Sequence, residues 1–191
     1  MLSLQKGKRL ESTKLTETKN LPPVTEKVGR NIPRVTVLGI GNLLLQDEGV
    51  GVHLVQELAV RKVDCARLTV IDAGTTPDFL SLLDHDIDKL IIVDAVTGGN
   101  DPGTLYRFGL DDLNLDSVAP VSLHEIGIVE NLRIMSLLGK QPRSTVFIGV
   151  EPKTIDYGLE LSPQIKEKLP KILELVLKEI EDTNIAMEVD R

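Results

Sequence analysis

Four residues stand where their type and position could do chemistry: Glu48, Asp72, Asp94 and His124. Asp72 follows the apolar run Arg67 to Ile71, and Asp94 follows Leu90 to Val93. Glu48 comes just after the glycine turn Gly39-Ile40-Gly41-Asn42, and His124 lies two residues past Ser122, in the opening turn of a helical pattern. Polar residues at the exits of apolar strands gather at one edge of a parallel sheet, the edge where open α/β folds hold ligands. Several carboxylates there repel one another, and a bound cation relieves the repulsion. Glu48, Asp94 and His124 would offer two oxygens and one imidazole nitrogen, a set suited to a borderline divalent metal such as nickel or zinc. Their separations of 46 and 30 residues contain no local metal motif, so only the fold can assemble them. A plainer reading stands beside this one. Asp47 and Glu48 at a helix start are stabilised by the helix dipole, by roughly 0.3–1 kcal/mol each, with no ligand at all. His53 reads as a packed or surface histidine inside the first helix, and His85, among Asp84, Asp86 and Asp88, as a solvated one.

The elements that must position these residues follow from periodicity. Val35 to Ile40 is a β-branched run that reads as a buried strand, and Val50, Leu54 and Leu58 then recur on one helical face from about Asp47. Arg67 to Ile71 is a second strand, Pro77 to Leu83 a short helix, and Leu90 to Val93 a third strand. Leu105 to Phe108 is a short strand near an edge. Ile126, Val129, Leu132 and Met135 carry a helix that ends at Gly139, after a polar connection over 111–121. Val146 to Val150 is a fifth strand. Ser162-Pro163 is a helix N-cap followed by a proline at the first helical position. Ile172, Leu173, Val176 and Ile180 line the final helix, which Pro170 either starts or kinks. Apolar strands separated by helices predict a mostly parallel sheet covered on both faces. A dinucleotide site does not fit the first glycine turn. The third small residue is replaced by Leu44, and two acids stand where a pyrophosphate needs bare amides.

Composition narrows the class. A chain of 191 residues with 41% hydrophobic and 27% charged residues suits one globular domain with its own core. No apolar run approaches the length of a membrane span, so no membrane partner is expected. The single cysteine, Cys65, cannot form an intramolecular disulfide and fits a reducing, cytoplasmic setting. Residues 1–34 hold eight Lys/Arg against three Glu, a net +5, which leaves −12 on the rest of a chain whose total is −7. So acidic a body disfavours nucleic acid as a partner. Residues 1–32 have no sustained periodicity and read as a flexible basic extension; residues 33–191 read as a single α/β domain.

The ordered motifs resemble those of the hydrogenase maturation endopeptidases, which trim the large subunit of nickel–iron hydrogenases. The matching stretches are Leu38-Gly39-Ile40-Gly41-Asn42 with Asp47-Glu48-Gly49-Val50-Gly51, Asp72-Ala73-Gly74-Thr75, Ile91-Ile92-Val93-Asp94-Ala95, Ser122-Leu123-His124-Glu125-Ile126-Gly127 and Gly149-Val150-Glu151-Pro152. The resemblance implies a three-layer α/β/α sandwich around a mostly parallel, twisted five-stranded sheet. It implies an endopeptidase that releases the C-terminal extension of the large-subunit precursor once nickel has been inserted. Glu48, Asp94 and His124 fall on the family's metal-binding positions, and Asp72 on a further family aspartate near the site. The nickel belongs to the substrate, with zinc or cadmium able to stand in for it in vitro. Hydrolysis would be driven by the metal or by a carboxylate such as Asp94 or Asp72, and the enzyme would act as a monomer. The basic extension lies outside the family pattern. Two other classes stand beside this one: a non-catalytic metal-sensing chaperone of the same precursor, which would share every binding residue, and a nucleotide-binding enzyme on a similar α/β frame, against which the missing third glycine and the acids at the helix start argue.

Overall fold

The computed structural model describes residues 32–63, 65, 67–75, 83, 86–112 and 123–189. The basic extension, the helix expected over Pro77 to Leu83 and most of the polar connection before Ser122 lie outside these residues. Five strands form one sheet: β1 (Val35–Ile40), β2 (Leu68–Gly74), β3 (Lys89–Ala95), β4 (Leu105–Gly109) and β5 (Ser144–Val150), in the order β2-β1-β3-β5-β4. The pairs β1–β2, β1–β3 and β3–β5 are parallel, and β4 runs antiparallel to β5 at one edge. Every residue of β1 and β3 is buried, as near-continuous apolar runs require when both sheet faces are covered. The edge strand β2 is only partly buried, and it runs to Gly74 rather than stopping at Ile71.

Two clusters of buried side chains fill the two faces. Helices α1 (Val50–Ala59) and α3 (Pro163–Val189) cover one face, where Val50, Leu54, Ile165, Ile172 and Val176 meet Val37, Ile91, Val93 and Ile148. Helix α2 (Leu123–Leu137) covers the other, where Ile128, Leu132 and Met135 meet Leu38, Ile92 and Phe147. Burying each such Leu, Ile or Val stabilises by about 1.5–3 kcal/mol before ordering costs are counted. Phe108 of β4 lies opposite Phe147 of β5, and the two rings stack with centroids 5.1 Å apart. The architecture is therefore helix, sheet, helix in three layers.

Three local details differ from expectation or refine it. The first helix does not open at Asp47: a single 3-10 turn, Gln46–Gly49, precedes α1. The reason is close packing at the first glycine loop. A Cβ on Gly41 (φ 141°) would lie 1.9 Å from the carbonyl oxygen of Glu48, and one on Gly51 2.2 Å from that of Val93. Only glycine lets the turn press against the sheet there. Helix α2 ends as expected at Gly139, whose φ of 67° lets the Lys140 amide reach back to the Met135 carbonyl at 2.9 Å. Helix α3 starts at Pro163 and continues through Pro170, so that proline does not begin the helix. Among the described residues, no helix is long and apolar enough to cross a membrane.

Candidate active site

The period-2 alternation of β3 decides which way Asp94 faces. Ile91 and Val93 belong to the α1–α3 side, whereas Leu90 and Ile92 belong to the α2 side. Asp94, next in the second series, joins Ile92, Phe108, Phe147 and Ile128 of α2 around a small, mostly apolar pocket. It is buried, and its Oδ1 accepts a hydrogen bond from the Ala95 amide at 2.8 Å. His124 occupies the first turn of α2, one helical turn before Ile128. The backbone thus brings the opening of α2 to the face of the sheet that Asp94 uses. The side chain of His124 lies outside the described residues, as does His85.

Asp72 faces the other way. Its register partner on β1 is Gly39, and Gly39 in turn pairs with Val93, so Asp72 and Val93 are level across two strand spacings. The Asp72 carboxylate accepts from the side chain of Gln56 on α1 (3.2 Å) and from the Gly74 amide (3.0 Å). Asp72 and Asp94 are therefore two strands apart, roughly 10 Å by ordinary strand spacing, on opposite faces of the sheet. They do not form a carboxylate pair that shares a proton.

Adjacent acids, Asp47 and Glu48, have opposite environments. Asp47 is fully buried and accepts hydrogen bonds from the amides of Lys153 and Thr154 (both 2.9 Å) and from the amide and hydroxyl of Ser162 (2.7 and 2.8 Å). It fastens the segment after β5, and the start of α3, to the first loop. Ser162 does precede Pro163 as expected, but its hydroxyl is given to Asp47. Glu48 is only half-buried, yet its Oε2 is enclosed and makes no hydrogen bond among the described residues. The 3-10 turn that carries it lies against β3. Asn42 is used locally, its Oδ1 accepting from the Leu44 amide at 2.9 Å. Residues Gly39 to Gly41 are packed by the protein's own backbone, which leaves no cradle for a pyrophosphate.

Glu151 is a site-supporting residue that reading by periodicity missed. It is buried and accepts from the amides of Gly98 (2.8 Å), Gly99 (3.3 Å) and Asn100 (3.4 Å) and from the Tyr106 hydroxyl. These bonds pin the loop that leaves β3 just after Asp94. Burial pushes the Glu151 carboxyl up, but the Tyr106 hydroxyl and the three amides outweigh it and hold it below the usual carboxylate range. A carboxyl with a depressed folded pKa contributes stability above its unfolded value, about 4.3, and that contribution is lost as pH falls through the folded value. The expected result is a melting temperature that drops more steeply below about pH 4.3 for the native chain than for Glu151→Gln, measured by thermal melts over a pH series. Parallel curves would show that Glu151 contributes nothing to acid sensitivity. The signal available in the sequence was an acid between a buried strand and a proline, opposite the pair Gly98-Gly99. His53 has a buried Nε2 that makes no hydrogen bond among the described residues, and it stands on α1, not on the α2 side where Asp94 faces. Among the described residues, no group of three or more His, Cys, Asp or Glu side chains that could hold a metal ion comes together; the set expected here includes His124, whose side chain is outside them.

With this geometry in hand, comparison with known proteins is informative. A family model described as hydrogenase maturation protease matches residues 52–179. The chain is 37% identical over 151 residues to a hydrogenase expression/formation protein HupD of Thiocapsa roseopersicina, covering 78% of this chain and 68% of the relative. It is 29% identical to the hydrogenase 2 maturation protease of Escherichia coli over 80% of this chain and 93% of that one. Among solved structures, the hydrogenase maturating endopeptidase HybD from E. coli superposes with a TM-score of 0.70 at 29% identity, over 78% of this chain and 93% of that one. A [NiFe] hydrogenase maturation protease HybD from Thermococcus kodakarensis gives 0.65 at 28% identity, over 77% and 99%. The matched span runs from α1 into α3 and includes Asp94 and His124. The extent of the family match and the identity to relatives covered over two thirds or more of their length leave one conclusion: this chain belongs to the hydrogenase maturation protease family.

Proposed function

We propose that this protein is an endopeptidase that removes the C-terminal extension from the precursor of a nickel–iron hydrogenase large subunit after nickel insertion. In this reading Glu48, Asp94 and His124 ligate the nickel carried by the substrate, and the enzyme acts as a monomer. The observation that carries it is the enclosed Oε2 of Glu48, which has no hydrogen-bond donor among the described residues. Leaving such an oxygen unmet costs about 1–3 kcal/mol, and an arriving cation would remove that cost. In this reading Asp94, near the end of β3, supplies the second oxygen, and His124, in the first turn of the helix whose Ile128 shares a pocket with Asp94, supplies the imidazole. The donor set matches a borderline divalent ion, with zinc or cadmium as stand-ins.

A substrate-borne metal also accounts for selectivity. The nickel-free precursor lacks the group these ligands are arranged to meet, so it forfeits the ligation energy and is rejected. The opposite-face placement of Asp72 supports a site in which the two aspartates act separately: Asp94 among the ligands, Asp72 held by Gln56 beside α1. The test is a gel assay of precursor with and without nickel. The shortened large subunit should appear only with the nickel-loaded form, and equal cleavage of the nickel-free form would sink the metal-reading role. Binding without any shortened product would instead identify a non-catalytic chaperone.

A further inference from the structure

Beside the site lies a surface that metal reading does not use. Four large apolar side chains face solvent there: Leu44 (61% exposed), Ile155 (52%), Tyr157 (87%) and Leu159 (64%). They come from two segments joined by backbone. The Gly158 amide donates to the Leu44 carbonyl and the Gln46 amide to the Gly158 carbonyl, both at 3.0 Å, and Leu45 and Gly158 form a parallel bridge. Tyr157 and Leu159 flank Gly158, so they stand beside Leu44. Buried Asp47 holds the same segment through Lys153 and Thr154, and Glu48 is the next residue. The surface is therefore continuous with the metal-reading turn and fixed by the same carboxylate.

We propose that Leu44, Ile155, Tyr157 and Leu159 form a docking surface for an apolar segment of the hydrogenase large-subunit precursor, seated while its metal meets Glu48. This rests on the precursor-processing reading above. Its continuity with Glu48 is the first reason to assign it to the substrate. The second is size. Four side chains of this kind expose on the order of 500 Å² in all, against roughly 800 Å² per partner in a stable interface. A surface that small suits a client that arrives and leaves better than a second copy of this chain. The third is charge. The exposed charges along it balance: Lys153 against Asp156, whose Oδ1 accepts from the Tyr157 amide, and Glu160 paired with Lys166 at 3.1 Å, so the surface offers little to a charged partner. Because the backbone bridge already orders the segment, docking needs little further ordering of this protein.

The experiment compares the full-length chain with Tyr157→Ser/Leu159→Ser, using purified nickel-loaded precursor. Cleavage kinetics are measured alongside capture of the precursor on the immobilised protein. The double variant is expected to raise KM and weaken capture by about tenfold or more, as loss of central apolar contacts does. Its kcat should change little and its melting temperature should stay near that of the parent, since both side chains are exposed. Capture by the parent should be nearly insensitive to salt between about 0.05 and 0.5 M, because no ion pair is involved. Val60→Ser and Leu137→Ser are matched controls. Both residues are as exposed as Tyr157 but stand at the C-terminal ends of α1 and α2, and both variants should keep the parent KM. If the parent cleaves the precursor and the double variant shows the same KM and capture, the docking surface is elsewhere and the protease reading survives. If the parent captures but never cleaves, and the double variant loses capture, the docking assignment stands and the protease reading falls. If the parent sediments as a dimer that the double variant splits, the surface is a self-interface and the proposal is overturned. Neither capture nor cleavage by the parent would remove both.

Discussion

Replacing His124 with alanine is expected to lower kcat/KM for the nickel-loaded precursor at least about 100-fold, roughly 2.7 kcal/mol of lost transition-state stabilisation. The fold should survive. His124 stands in the first turn of a 15-residue helix, and losses at helix starts cost about 1 kcal/mol. On the proposed reading one of three ligands disappears, so the loss of function should exceed the loss of stability. Asp94→Asn should behave alike, since the amide keeps the shape but removes the charge proposed to meet the cation. Its neighbours in the pocket, Ile92, Phe108, Ile128 and Phe147, need no carboxylate there. His53→Ala is the control on α1 and should cleave nearly normally; His85→Ala is a second. The measurement is gel-resolved cleavage of the precursor beside a thermal melt of each variant. A His124→Ala protein that cleaves at the parent rate ends the metal-reading assignment.

The largest stability effect is expected at the opposite end of the sheet, where Glu179 of α3 is buried with two cations. Lys89 Nζ donates to its Oε2 at 2.6 Å and to its backbone carbonyl at 3.1 Å, and Arg107 Nε donates to its Oε1 at 2.5 Å. Lys89 and Glu179 have side chains only 10% and 5% exposed, while Arg107 is about half exposed. Burial pushes the Glu179 carboxyl up, but Arg107 and Lys89 outweigh it and hold it below the usual range. Glu179→Ala would leave the Lys89 ammonium buried without its carboxylate, and breaking a buried pair in this way costs about 3–5 kcal/mol. Replacing both buried partners, as in Lys89→Met/Glu179→Met, should recover most of that, because no buried charge is left uncompensated and the half-exposed Arg107 stays hydrated. Urea unfolding of the two single variants and the double variant measures the coupling directly. If Glu179→Ala lowers stability by less than 1 kcal/mol, a figure typical of exposed ion pairs, the triad is a surface feature and its burial has no energetic consequence. Precursor cleavage should be retained by any variant that stays folded, since the triad touches none of the proposed ligands.

These two regions differ in how far the sequence exposes them. The strands were legible because a strand buried on both faces has to be nearly continuously apolar: Leu90 to Val93 is so throughout, and Val35 to Ile40 departs from it only at Thr36 and Gly39. Helix α1 was legible because Val50, Leu54 and Leu58 recur at helical spacing and all three are buried. The ends of elements were less so. Asp72 lies inside β2 rather than beyond it, since a paired edge strand can carry a polar residue that α1 then bonds. The entry to α1 is a 3-10 turn because glycines at 41 and 51 let backbone touch backbone, a contact with no periodic signature.

What the sequence determined by itself was the class of fold, the edge at which polar residues collect, and the kinds of atom offered there. Those follow from local chemistry: apolar periodicity, strand exits, and the donor types of Glu, Asp and His. Only the tertiary structure decided how neighbouring residues divide their work. Asp47 and Glu48 are adjacent in sequence, yet the first is consumed by amides 106 to 115 residues away and the second is left open. Asp72 and Asp94 each lie near the C-terminal end of a strand of one sheet, yet the alternation of side chains sends them to opposite faces. Lys89 and Glu179 are 90 residues apart and meet only because α3 packs back over the sheet. The partner of a buried charge is set by packing between distant segments, and no local pattern in the chain encodes it.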